Sequence, residues 1–157
     1  MSEMAAPWLR FKIGESAFAI PLRAVAEVTS AATPRLIPLV PLQVGGILNV
    51  RGEPLPAVDG GVLLCNQPSG TRRHVLVLEH ETARIGVLVG HVSRIERSVP
   101  SSSADEELDA DCMHLRWVID GDERLGLVDP EALLERAAGL LTGERSQMGE
   151  GPCQSAF

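Results

Sequence analysis

The stretch V-G-G-I-L-N-V-R-G-E-P-L-P-A-V-D, residues 44–59, says most about the fold of this chain. Two short apolar segments, Gly46–Val50 and Leu55–Val58, flank the triplet Arg51-Gly52-Glu53. Glycine reaches backbone angles closed to other residues, so Gly52 between polar neighbours indicates a turn that joins two strands. The predicted hairpin holds Arg51 at its tip, where two buried strands fix the position of the turn. Such a position suits contact with a partner better than catalysis.

Short strand patterns fill most of the remaining chain. Leu9, Phe11 and Ile13 alternate with Arg10 and Lys12, which is typical of a half-buried strand. Further strands are predicted at residues 17–20, 25–29, 46–50, 55–58, 74–79, 83–89, 92–99, 117–119 and 124–128, and in the segment 92–99 Arg94 and Glu96 are expected to face outward. Many short strands at regular spacing predict an all-β fold of the barrel or sandwich type.

One helix is predicted near the C-terminus. Asp129 is a good N-cap and Pro130 a good first helical residue. An apolar stripe at helical spacing follows, and its members are Leu133, Leu134, Ala137, Leu140 and Leu141. Gly143 can end the helix, and the Gly-, Ser- and Gln-rich tail at 144–157 is expected to be disordered. The polar break at 65–73 predicts one domain over 1–143 with two strand clusters that meet near 60–73.

Composition excludes several classes of partner. The chain has 157 residues, 45% of them hydrophobic, a net charge of −7 and a pI of about 5.1. An acidic chain is poorly suited to nucleic acid or to an anionic membrane surface. No apolar run approaches the ~20 residues of a membrane helix, and residues 1–8 lack the features of a signal peptide, so a cytoplasmic location is expected.

The motifs of common enzymes are missing from the sequence. It contains no phosphate-binding P-loop, no dinucleotide-binding fingerprint and no G-x-S-x-G nucleophile elbow. Cys112 and His114 could be half of a metal site, and the acidic run 105–111 could be a calcium loop, but neither has the complete ligand spacing. We therefore expect no catalytic residues, no metal, no cofactor and no small-molecule substrate. A small enzyme or ligand-binding β-barrel remains an alternative and would need a polar pocket.

Several segments, in order, resemble the CheW family, the adaptors of bacterial chemosensory arrays. The segments are F-K-I-G-E-S-A-F-A-I-P-L (11–22), V-A-E-V (25–28), R-L-I-P (35–38), G-I-L-N-V-R-G-E-P-L-P-A-V-D (46–59), H-V-L-V-L-E (74–79), I-G-V-L-V (85–89), V-S-R-I (92–95) and G-D-E-R-L-G-L-V-D-P-E-A-L-L (121–134). Each motif alone is weak, and the ordered set covers most of the chain.

The resemblance implies a fold, partners and contact residues. It implies two packed five-stranded β-barrel subdomains around a shared hydrophobic centre, with a C-terminal helix and without enzymatic activity. It implies an adaptor that couples the cytoplasmic tips of chemoreceptors to a CheA-type histidine kinase. The residues that match the family's kinase contact are Asn49, Arg51 and Gly52, and those that match its receptor-binding groove are Val25, Glu27 and Ile95.

The sequence also departs from the family pattern. Gly60-Gly61 follows Asp59 where typical members have Leu-Arg, and Gly90 stands where Asp is usual. Arg94 occupies a position where an acidic residue is common. These departures leave open a second function, in which the protein binds receptors but not the kinase and caps an array.

Overall fold

The structure is a computed structural model, and it describes residues 6–36, 38, 40–41, 44–81, 83–97, 107–108 and 115–142. The predicted C-terminal tail, the helix-ending Gly143, and the Cys112–His114 pair lie outside the described residues. So does most of the acidic run, of which only 107–108 is described.

Short strands dominate the described part of the chain, as the alternating pattern predicted. The elements are β1 (Trp8–Ile13), β2 (Ser16–Pro21), β3 (Val25–Ser30), β4 (Gly45–Val50), β5 (Glu53–Asp59), α1 (Gly60–Cys65), β6 (His74–His80), β7 (Ala83–Val89), β8 (His91–Glu96), β9 (Glu107–Leu108), β10 (Leu115–Asp120), β11 (Glu123–Val128) and α2 (Pro130–Thr142). A single 3₁₀ turn, Leu22–Ala24, separates β2 from β3. Within the described residues, neither helix has the length and hydropathy that a membrane-spanning segment needs.

The strands form two sheets, and the all-β fold class is confirmed. One sheet has the strand order β8-β1-β2-β11-β10-β9, and the other has the order β3-β6-β7-β5-β4. Among the described residues, neither hydrogen-bonded order closes on itself, so the sheets are curled rather than closed as the expected barrels would be. The first sheet gains a sixth strand from the two residues of β9.

The described hydrophobic residues form one shared core and two smaller ones. The shared core takes buried side chains from both sheets and from α1 and α2, including Phe11, Phe18, Leu76 and Leu133. A second core, with Leu48, Leu55, Ala57, Val75, Val77 and Leu88, belongs to the five-stranded sheet alone. A third, with Ala17, Ala19, Val118, Leu125 and Leu127, belongs to the six-stranded sheet. Each sheet therefore carries buried apolar side chains on both faces, those of the shared core on one face and those of its own smaller core on the other.

The segment predicted as a junction, 60–73, connects β5 to β6, and both strands belong to the five-stranded sheet. The two sheets instead divide the chain at other points: β3–β7 form one sheet, while β1–β2 and β8–β11 form the other. The six-stranded sheet therefore joins the two ends of the described chain through the parallel pairing of β2 with β11.

A short helix, α1, was missed because its sequence begins with two glycines. Asp59 caps it: its carboxylate accepts the N–H groups of Gly61 (2.7 Å) and Val62 (3.3 Å). A Cβ at Gly60 would lie 2.6 Å from the Leu88 carbonyl oxygen, and one at Gly61 would lie 2.5 Å from a backbone oxygen. Both glycines are therefore required by close backbone packing.

The C-terminal helix α2 begins as the sequence predicted. The Asp129 carboxylate accepts the N–H of Glu131 at 3.1 Å, and Pro130 is the first helical residue. The apolar stripe packs on the shared core, with Leu133, Leu134 and Ala137 buried and Leu140 and Leu141 partly buried. The helical spacing of apolar residues was enough to predict α2, because the helix packs on the core along one face.

Candidate functional site

The candidate site is the tip of the β4–β5 hairpin. Val50 pairs with Glu53, which leaves a two-residue turn of Arg51 (φ 53°) and Gly52 (φ 83°). Positive φ at both turn residues matches the twist of a tight hairpin. An L-residue such as Arg51 pays roughly 1–2 kcal/mol to occupy this region. Its side chain is 82% exposed, so packing does not explain the choice of arginine.

The three residues predicted as the kinase contact lie together at this tip. Asn49 is an exposed residue near the end of β4, and Arg51 and Gly52 are both exposed. The structure therefore presents all three residues at one exposed hairpin end, where they are accessible to a partner. Their role as a contact stays a prediction.

Charged side chains from three neighbouring elements surround the hairpin tip. Glu27 of β3 lies 3.6 Å from Arg51 Nε through one carboxylate oxygen and 3.6 Å from Arg84 Nη2 through the other. Arg84 of β7 also donates a hydrogen bond to Glu53 at 3.3 Å. We call Glu27, Arg51, Glu53 and Arg84 the hairpin charge cluster. Sequence reasoning missed Glu53 and Arg84 as members, although alternation along β7 places Arg84 on the face opposite Ile85.

The predicted receptor-contact residues are separated by the structure into two environments. Val25 is partly buried against the shared core, while Glu27 belongs to the hairpin charge cluster. Ile95 of β8 is 58% exposed and pairs with Leu9, a member of the shared core. Directly paired residues of antiparallel strands point to the same face of a sheet, so Ile95 lies at the exposed border of the shared-core face.

A second charge cluster lies in the six-stranded sheet and was not foreseen. Arg10 of β1 binds Glu96 of β8 at 3.1 Å, Asp120 of β10 at 2.8 Å and Glu123 of β11 at 2.5 Å. The Arg10 side chain is only 6% exposed. The hydrogen bond from Arg10 holds the pKa of Glu123 below its usual value, and nearby Lys12 acts in the same direction. We call this set the Arg10 cluster.

The Arg10 cluster corrects one detail of the strand predictions. Glu96 was expected to face outward, yet its side chain is 16% exposed because it turns to Arg10. Arg94 is 67% exposed, as expected, and pairs with Glu96 at 2.8 Å. Arg10, on the polar face of β1, is enclosed because the sheet curls, whereas Lys12 on the same face is 42% exposed. A strand pattern alone does not reveal this difference.

Two other kinds of site come into question among the described residues, metal-binding groups and surface pockets. Among the described residues, no group of three or more His, Cys, Asp or Glu side chains is arranged to hold a metal ion. An open, mainly apolar surface pocket is lined by Ala6, Pro7, Trp8, Pro21, Leu22, Arg23, Val128, Asp129 and Pro130. Its two charged side chains, Arg23 and Asp129, lie among apolar neighbours, and the pocket lies apart from the hairpin tip in sequence and sheet.

Taken together, the fold and the exposed charged tip define a β-rich domain with a surface suited to protein contacts. The sequence model of the CheW-like domain matches residues 7–138. The chain therefore belongs to the CheW-like domain family.

Individual relatives are consistent with this membership. The "Chemotaxis protein CheW" of Rhizobium meliloti (strain 1021) is 33% identical over 89 residues, which is 55% of this chain and 57% of that protein. The "Probable chemotaxis protein CheW" of Rhizobium etli is 30% identical over 89 residues, with the same coverage. The matched region thus spans 57% of the length of these curated relatives.

The fold also matches a solved structure. The crystal structure of the scaffolding protein TtCheW from Thermoanaerobacter tengcongensis superposes with a TM-score of 0.63 at 18% sequence identity. The match covers 80% of this chain and 85% of that one. At this identity the likeness shows a shared fold.

Proposed function

We propose that this protein is a non-enzymatic, cytoplasmic scaffold that couples the cytoplasmic tips of chemoreceptors to a CheA-type histidine kinase. Family membership and the chemotaxis names of the curated relatives support this role. The observation that carries it is the hairpin tip, where Arg51 holds an unfavourable backbone conformation with an exposed side chain. Such local strain without a packing reason is typical of functional positions.

The hairpin tip has the properties of a kinase contact. Arg51 stands on a two-residue turn between paired strands, so little backbone freedom is lost when a partner binds. Its guanidinium can form two parallel hydrogen bonds with a carboxylate. At 3.6 Å, the existing contact with Glu27 is an ion pair beyond hydrogen-bond distance, so a partner carboxylate can compete for Arg51.

Ile95 supports the receptor contact. An amphipathic helix binds by laying its apolar face on exposed apolar side chains. Ile95 is 58% exposed at the border of the shared-core face, and Val25 packs on the same core from the other sheet. A receptor tip, as a helical hairpin, could bury Ile95 between the two sheets.

A second candidate is a protein that binds receptors alone and caps the array. The departures from the family pattern favoured it, but packing accounts for most of them. Gly60 and Gly61 are required where α1 meets neighbouring backbone, and a Cβ at Gly90 would lie only 3.3 Å from the Lys12 carbonyl oxygen, which is a tight contact. Arg94 forms an ion pair with Glu96. These substitutions therefore do not by themselves argue against kinase binding.

Calorimetric titration of the purified protein against two partners tests the proposal. The partners are the regulatory domain of the kinase and a signalling-tip fragment of a receptor from the same organism. Binding to both is expected. Binding to neither would refute the scaffold role, and binding to the receptor alone would establish the array-cap function instead.

Variants separate the two surfaces. Ile95→Ser should weaken receptor binding and leave kinase binding unchanged, because burial of one large aliphatic side chain contributes about 1.5–3 kcal/mol. Ile119→Ser is the matched control, since Ile119 is also an exposed strand isoleucine (42%) of the same sheet. Unchanged receptor affinity in Ile95→Ser would show that the receptor does not use Ile95, and equal losses for both variants would show that the effect is not specific to Ile95.

A further inference from the structure

Arg84 lies at the middle of the hairpin charge cluster. It belongs to β7, the central strand of the order β3-β6-β7-β5-β4, whereas Glu27 lies on the edge strand β3 and Arg51 follows the opposite edge strand β4. Arg84 contacts both acids of the cluster, Glu27 at 3.6 Å and Glu53 at 3.3 Å. The four charges therefore alternate in sign from Glu53 through Arg84 and Glu27 to Arg51.

Exposure separates the roles of the two arginines. The Arg84 side chain is 40% exposed and Arg51 is 82% exposed, while Glu27 is the least exposed member at 20%. A partly buried carboxylate attracts a nearby cation more strongly than an exposed carboxylate does, because the surrounding dielectric is lower. Arg84 and Arg51 lie at the same distance, 3.6 Å, from the two different carboxylate oxygens of Glu27, so each arginine forms an ion pair beyond hydrogen-bond distance.

Resting on the proposed kinase contact, we propose that Arg84 is a positioning residue that keeps the Arg51 guanidinium turned outward for a carboxylate on the partner. Without Arg84, Arg51 would be the one remaining cation of the cluster, and Glu27 would draw it inward. The partner would then have to break a direct Arg51–Glu27 hydrogen bond before it could bind. Arg84 acts on binding through Glu27 without touching the partner.

The first test is affinity for the kinase regulatory domain, measured by calorimetry with the full-length protein. Arg84→Gln should weaken binding about three- to fivefold, the range open to an exposed ion pair. In a Glu27→Gln background the same substitution should change affinity by less than about twofold, because the competing carboxylate has lost its charge. Arg84→Lys should recover part of the loss, and Arg23→Gln, at an exposed arginine outside the cluster, is the matched control.

Two results would overturn the proposal. An equal loss for Arg84→Gln with and without Glu27 would mean that Arg84 contacts the partner directly. A loss of binding that follows a lower unfolding midpoint in denaturant would mean a purely structural role.

A second measurement needs no partner. The solvent-exchange rate of the Arg51 Nε–H, followed by nitrogen-15 NMR, should fall about three- to fivefold in Arg84→Gln as Arg51 binds Glu27 directly. An unchanged rate would refute the positioning role even if the kinase binds normally. Failure of the wild-type protein to bind the kinase would refute the scaffold function, while the NMR result would still decide how Arg84 affects Arg51.

Discussion

Each of the two charge clusters contains an arginine, but one arginine is buried among carboxylates and the other is exposed to solvent. Arg10 is 6% exposed and contacts three carboxylates at 2.5–3.1 Å, whereas Arg51 is 82% exposed and contacts one carboxylate at 3.6 Å. Each cluster lies on the face of a curled sheet that carries that sheet's own small core. The comparison teaches that the enclosed cluster holds strands together, while the open one leaves a charge available to another molecule.

Replacing the central cation of the Arg10 cluster should have the largest effect. Arg10→Met keeps length and apolar bulk but removes the one cation that contacts all three carboxylates, so the free energy of unfolding should fall by about 3 kcal/mol, even though Glu96 keeps its pair with Arg94 and Glu123 its pair with Lys12. Urea denaturation followed by circular dichroism measures the change. Arg94→Met is the control and should cost less than about 1 kcal/mol, because Arg94 is 67% exposed. Equal losses for both variants would show that enclosing Arg10 gives it no more weight in stability than an exposed arginine has.

Replacing the exposed arginine should separate binding from stability. Arg51→Gly should weaken binding to the kinase regulatory domain about 10- to 100-fold, equivalent to roughly 1.4–2.8 kcal/mol. Its free energy of unfolding should stay the same or rise by up to about 1 kcal/mol, since glycine occupies positive φ without strain. Titration calorimetry and urea denaturation of the same sample measure both quantities. A clear loss of stability would show that Arg51 has a structural role.

Raising the salt concentration should affect the exposed Arg51 contact much more than the enclosed Arg10 contacts. Raising ionic strength from about 0.1 M to about 1 M shortens the screening length from roughly 10 Å to 3 Å. Kinase binding through exposed Arg51 should weaken several-fold. The stability difference between the wild-type protein and Arg10→Met should change by less than about 0.5 kcal/mol, because enclosed pairs are screened less. Salt-independent binding would contradict a charge contact at the hairpin tip.

The smallest expected effect is a pH dependence. Arg10 lowers the pKa of Glu123 in the folded state, so this carboxylate stabilises the protein above the usual glutamate pKa, and that stability is lost as pH falls through the lowered value. Because Glu123 is 40% exposed, the contribution should be below about 1 kcal/mol. Denaturation midpoints between about pH 6 and pH 3 should fall less steeply in Glu123→Gln than in the wild-type protein. Identical slopes would exclude Glu123 as a source of acid sensitivity.

Local sequence patterns predicted where most strands and the C-terminal helix lie, but they did not predict which residues pack around each element. Alternation identified most strands, the Arg51-Gly52 turn located the hairpin, and Asp129 located the start of α2. The helix α1 was hidden because its first residues, Gly60 and Gly61, disfavour helices, although Asp59 before them is a good N-cap.

The charge clusters could not be predicted from local pattern. Arg10 binds residues that lie 86, 110 and 113 positions away in the sequence. In a flat sheet its face of β1 would be exposed, and only the curl of the sheet encloses it. Arg84 likewise gains its role from being on the central strand between two acids.

The strand order of the six-stranded sheet has a consequence for how the chain folds as it is synthesised. The strands β3–β7 are contiguous in sequence and can pair as soon as residue 89 has emerged. The β1–β2 hairpin emerges first but must wait for β8 and β11, and Arg10 gains its last carboxylate only at residue 123. Such long-range pairing slows folding and leaves strand edges uncovered meanwhile. We therefore expect the five-stranded sheet to form first and the N-terminal hairpin to dock last.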